Sequence, residues 1–94
     1  MGKVTWTSLA ENDLIEIEQY IAEDSPTYAF ITSEKIINRT ASLEKFPMMG
    51  RIVPEFENPN IRELIEGNYR IVYFIANKNA INIIRIHHSA RLLK

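Results

Sequence analysis

The sequence predicts an α+β fold in the order β-α-α-β-β-β, with an N-terminal helical hairpin packed on a small antiparallel sheet. Three observations carry that expectation. Two helix-start signals stand near the front of the chain, Ser8 with Glu11 and Ser25 with Pro26. Residues 61 to 88 hold three runs rich in Ile, Val, Tyr and Phe, separated by short polar breaks. Between these regions lies PMMGRIVPEFENPN, which contains three of the four prolines and no sustained periodicity, as a loop does.

Taken in order, Val4, Thr5 and Trp6 form a β-prone piece too short to stand alone, expected at the sheet edge or against a later strand. Ser8 and Glu11 have capping-box spacing: the hydroxyl accepts from an orphan helix N–H while the carboxylate reaches back to the cap. Ala10, Leu14, Ile17 and Ile21 then form one apolar stripe, and Glu11, Glu16, Glu18 and Glu23 make the remainder a solvated face.

Ser25 is a second N-cap, followed by a proline whose fixed φ suits the first helical turn. This helix is expected to run to about Phe46, with Phe30, Ile36, Ile37, Ala41 and Leu43 facing the core, and Pro47 ends it. Strand signals resume over residues 61–66, and Gly67-Asn68 suits a primed hairpin turn. Residues 68–91 then read as a core hairpin about Asn77-Lys78-Asn79, which brings Arg70, Arg85, His87, His88 and Arg91 close together. Strict alternation puts Ile84, Ile86 and His88 on one face of the last strand and Ile81, Ile83, Arg85 and His87 on the other.

With 94 residues the chain is expected to be one domain, 1–94, built on one core. No apolar run approaches the roughly 20 residues of a membrane span, no secretory leader pattern opens the chain, and cysteine is absent. A cytoplasmic protein without disulfides or thiolate metal sites is the expectation. The net charge of −1 hides an asymmetry. Residues 1–60 carry five basic residues against ten carboxylates, a net −5, while residues 61–94 carry six against two, a net +4. The back third is therefore expected to offer a positive surface to an anionic partner.

No phosphate loop, HExxH or Gly-x-Ser-x-Gly motif is present. His87 and His88 are adjacent on a strand and point to opposite faces, so no metal site is expected from them, and no cofactor is implied. Arg62, Arg70 and Arg91 come from successive elements, and guanidinium groups match phosphate oxygens in a planar fork. Each is equally a sheet-surface charge or an ion-pair partner for Glu63 or Glu66. Tyr69 and Tyr73 read as sheet-packing residues before base-stacking ones. Phe46, Met48 and Met49 read as packing under a loop first and as a partner-binding patch second.

The combination of FPMMGR after two helices, IRELIEGNYRIVYFI, and a terminal IIRIHHSARLL resembles the RelE/ParE superfamily of type II toxin-antitoxin modules over nearly the whole chain. The resemblance implies a small α+β toxin restrained by a cognate antitoxin, in a hetero-oligomer or with a homo-oligomer of its own. That partner is expected to cover the positive sheet face or the helix pair with an acidic amphipathic helix or an added strand. RelE-like members cut ribosome-bound mRNA without a metal; on that branch Arg70 and Arg91 match two basic site positions, Arg62 is a weaker third, and His88 or His87 would transfer protons. The residues after Arg91 are Leu92, Leu93 and Lys94, without the tyrosine that RelE-like members commonly carry near the C-terminus. ParE-like members poison DNA gyrase and cleave nothing. The HSAR ending and the Arg62-Glu63-Leu64 strand are closer to that branch, which favours gyrase as target over mRNA. A degenerate toxin that only binds antitoxin is the third reading.

Overall fold

A computed structural model of the chain describes residues 2–88. The elements are β1 (Lys3–Trp6), α1 (Ser8–Ala22), α2 (Pro26–Ala41) with a 3₁₀ turn (Ser42–Glu44), β2 (Arg51–Ile52), β3 (Ile61–Glu66), β4 (Tyr69–Asn77) and β5 (Ala80–His88). Two helices pack on one five-stranded sheet of order β1-β5-β4-β3-β2. The expected α+β class and element order hold. The sheet is antiparallel from β2 to β5, but it is mixed as a whole because β1 runs parallel to β5, pairing Val4 with Ile81 and Trp6 with Ile83. The two residues of β2 come from within the expected loop.

Local chemistry explains most element ends. Ser25 caps α2 by accepting from the Tyr28 N–H at 3.1 Å, with Pro26 in the first turn. The cap of α1, however, is Thr7 rather than Ser8: its Oγ1 accepts from Ala10 N at 3.1 Å and donates to the Ile83 carbonyl at 3.0 Å. The Thr7 N–H already bonds Ile83 O at 3.0 Å, so no Glu side chain is needed there. One residue thus starts the helix and ties it to β5. Gly67 takes φ +59 while no other residue among those described takes positive φ, as a hairpin turn with glycine in its first central position requires. In the β4–β5 turn, Asn77 Oδ1 accepts from Asn79 N at 2.8 Å, the local Asx bond that makes asparagine a turn residue.

The main core lies between helices and sheet and gathers Ala10, Leu14, Ile36, Leu43, Leu64, Ile71, Tyr73, Ile81, Ile83 and Ile86. Each large member contributes roughly 1.5–3 kcal/mol by leaving water. On the sheet's other face the 53–60 loop folds back, and Val53 and Phe56 pack with Val72, Ile61 and Ile84 in a second, smaller core.

Two expectations about side-chain faces are corrected as well. The α1 stripe faces inward, but Phe30 and Ile37 of α2 are 64% and 43% exposed, and Ala41 is exposed as well. The inward face of α2 is Ala29, Thr32, Ser33, Ile36 and Thr40, small side chains that let the helix sit close to its neighbours. Strict alternation also fails on β5. Val72 pairs with Arg85 and Tyr73 with Ile83, leaving Ile84 as an extra residue, so Ile83 and Ile86 reach the same core.

Candidate functional site

The register decides which basic residues meet, because cross-strand partners share a face. Arg62 pairs with Tyr73 and His88 with Tyr69, and both tyrosines belong to the helix-side core. Arg70 pairs with Ile65 and with His87, on the face of Val72 and the second core. Arg62 and Arg70 therefore lie on opposite faces of the sheet. His88 is on the face of Arg62, but four residues further along β4, on the order of 13 Å by strand rise. Arg91, the fourth candidate, lies outside the described residues. Of the expected basic cluster, Arg70 and His87 meet as register partners, whereas Arg85 turns to α1.

Arg70 is 6% exposed and sits in an ion network. Its Nη1 and Nη2 donate to the two oxygens of Glu55 at 2.8 and 2.9 Å, and its Nε donates to Glu63 Oε1 at 2.5 Å. The other oxygen of Glu63, whose side chain is fully buried, accepts from Arg51 Nε at 2.5 Å. The hydrogen bonds to Glu55, and then those to Glu63, push the Arg70 pKa up against the opposing effect of burial. Among the described residues, these bonds set the Arg70 and Arg51 guanidinium groups against the Glu55 and Glu63 carboxylates, so the charge of Arg70 is offset within the fold.

Arg62 serves a different purpose. Its Nη1 donates to Gly50 O at 2.9 Å, beside the Tyr73 hydroxyl, which donates to Pro47 O at 2.7 Å and accepts from Gly50 N at 3.0 Å. Burial is the main reason that the Tyr73 phenol has a raised pKa. Together these bonds fasten residues 47–50 to the sheet.

Arg85, on the β5 bulge, donates to Asp13 Oδ2 through Nε at 2.8 Å and to Oδ1 through Nη2 at 3.2 Å, and Asp13 also accepts from Ile86 N at 3.0 Å. The Asp13 bonds raise the Arg85 pKa. A cleft of about 630 Å³ opens beside this pair, lined by Glu16, Tyr20, Tyr69, His87 and His88 among others. The His88 ring stands edge-on to Tyr69 with centroids 5.8 Å apart. Among the described residues no group of three or more His, Asp or Glu side chains could hold a metal ion, and no helix is long and apolar enough to cross a membrane.

The ion-pair alternative named Glu63 and Glu66 as partners, and Glu63 does take Arg70, while Glu66 takes Arg39 at 3.6 Å. The two-residue turn at Gly67-Asn68 sets that register. Glu55 and Asp13 carry no such local signal, since the first comes from an aperiodic loop and the second lies 72 positions before Arg85.

Comparison with known proteins supplies the remaining findings. Residues 4–93 match the family model described as the ParE toxin of the type II toxin-antitoxin system parDE. Toxin RelE2 of Caulobacter vibrioides is 34% identical over 93 residues, covering 98% of this chain and 100% of that protein. Among solved structures, the chromosomal ParDE toxin-antitoxin system of P. aeruginosa aligns with a TM-score of 0.76 at 26% identity, over 94% of this chain and 96% of that one. A chain of the E. coli DinJ-YafQ complex aligns with a TM-score of 0.54 at 13% identity, over the full length of both chains, and so shares the fold.

Proposed function

The chain belongs to the ParE toxin family of type II toxin-antitoxin systems, and from that premise we propose that it arrests growth by binding and poisoning DNA gyrase in the cytoplasm, as one domain over residues 1–94, until a cognate antitoxin covers it. The observation that carries the choice of target is the state of Arg70. A guanidinium that is 6% exposed and bonded to two carboxylates is a fold component, ill placed to grip a phosphodiester. Arg62, on the opposite face, gives its Nη1 to a backbone carbonyl. These placements support a toxin that acts by binding rather than by cutting.

The antitoxin reading is supported by the outward stripe of α2. Phe30 and Ile37 lie two turns apart and both are exposed, with Ile31 alongside. An amphipathic helix of the antitoxin laid along this stripe would bury them.

Purified chain added to a gyrase supercoiling reaction should stall supercoiling or trap cleaved DNA, and antitoxin should reverse the effect. Unimpeded supercoiling, together with discrete cuts in ribosome-bound mRNA from a translating extract, would transfer the protein to the RelE-like branch. That branch remains the second reading because the Caulobacter relative carries the name RelE2. Harmless expression without antitoxin would identify a protein that only binds antitoxin.

A further inference from the structure

We propose that residues 46–49, with Ile52 beside them, form a preorganised knob that grips the toxin's target, and that the occupant of this surface is a folded protein offering an apolar pocket with an acidic rim. The proposal rests on the toxin reading above. It does not depend on gyrase being the target.

Phe46 and Met48 are each 61% exposed, Met49 42% and Ile52 46%, so four large apolar side chains within seven positions face solvent. The expectation that they pack beneath a loop is therefore overturned: Leu43 and Tyr73 fill that part of the core, and the FPMM side chains stay outside. Large apolar side chains exposed so close together in the chain are the composition of an interaction surface.

The backbone beneath these side chains is held firmly. Fully buried Tyr73 holds Pro47 O and Gly50 N through one hydroxyl, and Arg62 holds Gly50 O. Phe46 N bonds Ser42 O at 3.1 Å and Met49 N bonds Phe46 O at 3.2 Å. A Cβ at Gly50 would come within 2.6 Å of both Glu63 O and the Tyr73 hydroxyl oxygen, so the turn is pressed onto the sheet as closely as glycine allows. A buried tyrosine and a half-buried arginine thus fix a turn that adds little to the core. A preset backbone lowers the ordering cost of binding, while methionine adapts to the shape of the pocket it enters.

The chemistry of the occupant follows from the surroundings. Lys45 and Arg51 stand against Glu44 alone between residues 44 and 52. Arg51 keeps 66% of its side chain in solvent while Glu63, the carboxylate that offsets it, is fully buried, and Lys45 is exposed as well, so the outermost charged groups of this segment include two basic ones. The adjoining β2 is the last strand of the sheet, so among the described residues no further strand covers that side. A compact apolar turn with a basic border fits a pocket on a folded protein. It differs from the elongated α2 stripe, which fits a helix, and four apolar side chains offer little to nucleic acid.

The test is the full chain with Met48→Lys and Met49→Lys, induced without antitoxin, beside wild type and a Lys78→Glu control at the far hairpin tip. Melting temperature should stay within about 4 °C of wild type, since both positions are exposed. Growth arrest should weaken about tenfold or more, and co-purification with the antitoxin encoded beside the toxin should persist. Should the lysine pair fail to fold, Met48→Gln with Met49→Gln removes the apolar surface without adding charge and must give the same loss. Arrest equal to wild type overturns the proposal, as does loss of antitoxin binding with arrest intact, which would make this the antitoxin's surface. Wild type that arrests growth yet leaves supercoiling untouched defeats the gyrase reading alone, because the knob is judged by growth.

Discussion

Glu55 and Arg70 meet fork to fork, with two parallel hydrogen bonds of 2.8 and 2.9 Å, so a loop carboxylate occupies the edge of the guanidinium that suits a phosphate. Glu63 holds Nε from beneath at 2.5 Å. Arg70 thereby fastens the 53–60 loop to the sheet.

Arg70→Ala should therefore act first on stability. It takes from fully buried Glu63 one of its two guanidinium partners, and losing one member of a buried pair costs about 3–5 kcal/mol. Urea unfolding is the measurement. Adding Glu63→Ala to Arg70→Ala should cost less than the two single changes summed, by about 0.5–3 kcal/mol. Simple additivity would mean the two side chains do not act as a pair.

Asp13→Ala should destabilise the α1–β5 contact by about 1–3 kcal/mol, because the N–H of Ile86, near the bulge, loses an acceptor and Arg85 its partner. Hydrogen exchange at the Ile86 amide should accelerate more than at Ile71, deep in the same sheet. Uniform acceleration would show only global destabilisation.

Gly50→Ala should cost about 1–3 kcal/mol, since the new methyl meets a strand carbonyl and the Tyr73 ring rather than a yielding side-chain tip. Methyl shifts of Met48 and Met49 in NMR spectra should move with it. An unchanged unfolding midpoint would show that the turn can slide off the sheet freely.

Tyr73 makes stability fall at alkaline pH. Its folded pKa is raised by burial, so its contribution is fully present below the unfolded value of about 10 and is lost as pH rises through the folded value. Melting curves from pH 8 to 11 should show this decline, and Tyr73→Phe should flatten part of it. Equal slopes in both proteins would rule the tyrosine out as the source.

Phe30→Asp with Ile37→Asp should leave unfolding free energy within about 0.5 kcal/mol, as expected for surface positions. Co-purification with antitoxin should disappear. A destabilised variant, or one that still captures antitoxin, would refute the assignment of the α2 stripe.

The elements themselves were legible because their signals are local. The Ser25 cap, Pro26, the glycine turn at 67 and the Asx turn at Asn77 each act within a few residues, and those bonds appear in the structure. The second face of α2 was not legible in this way. Its apolar stripe, Phe30 and Ile37, looks like a core face, yet close approach selected the small-residue side instead. Hydropathy records what a side chain prefers; it does not record how near a neighbouring helix must come.

By itself, then, the sequence determined the order of elements, most of their ends, the turn chemistry and the resemblance to a toxin family. Tertiary structure alone decided that Arg62 and Arg70 lie on opposite faces, that Glu55 closes on Arg70, and that Asp13 steadies a bulge 72 positions away. Caps and turns are settled by bonds spanning two to four residues, whereas the fate of a charged side chain depends on which distant carboxylate the fold delivers to it.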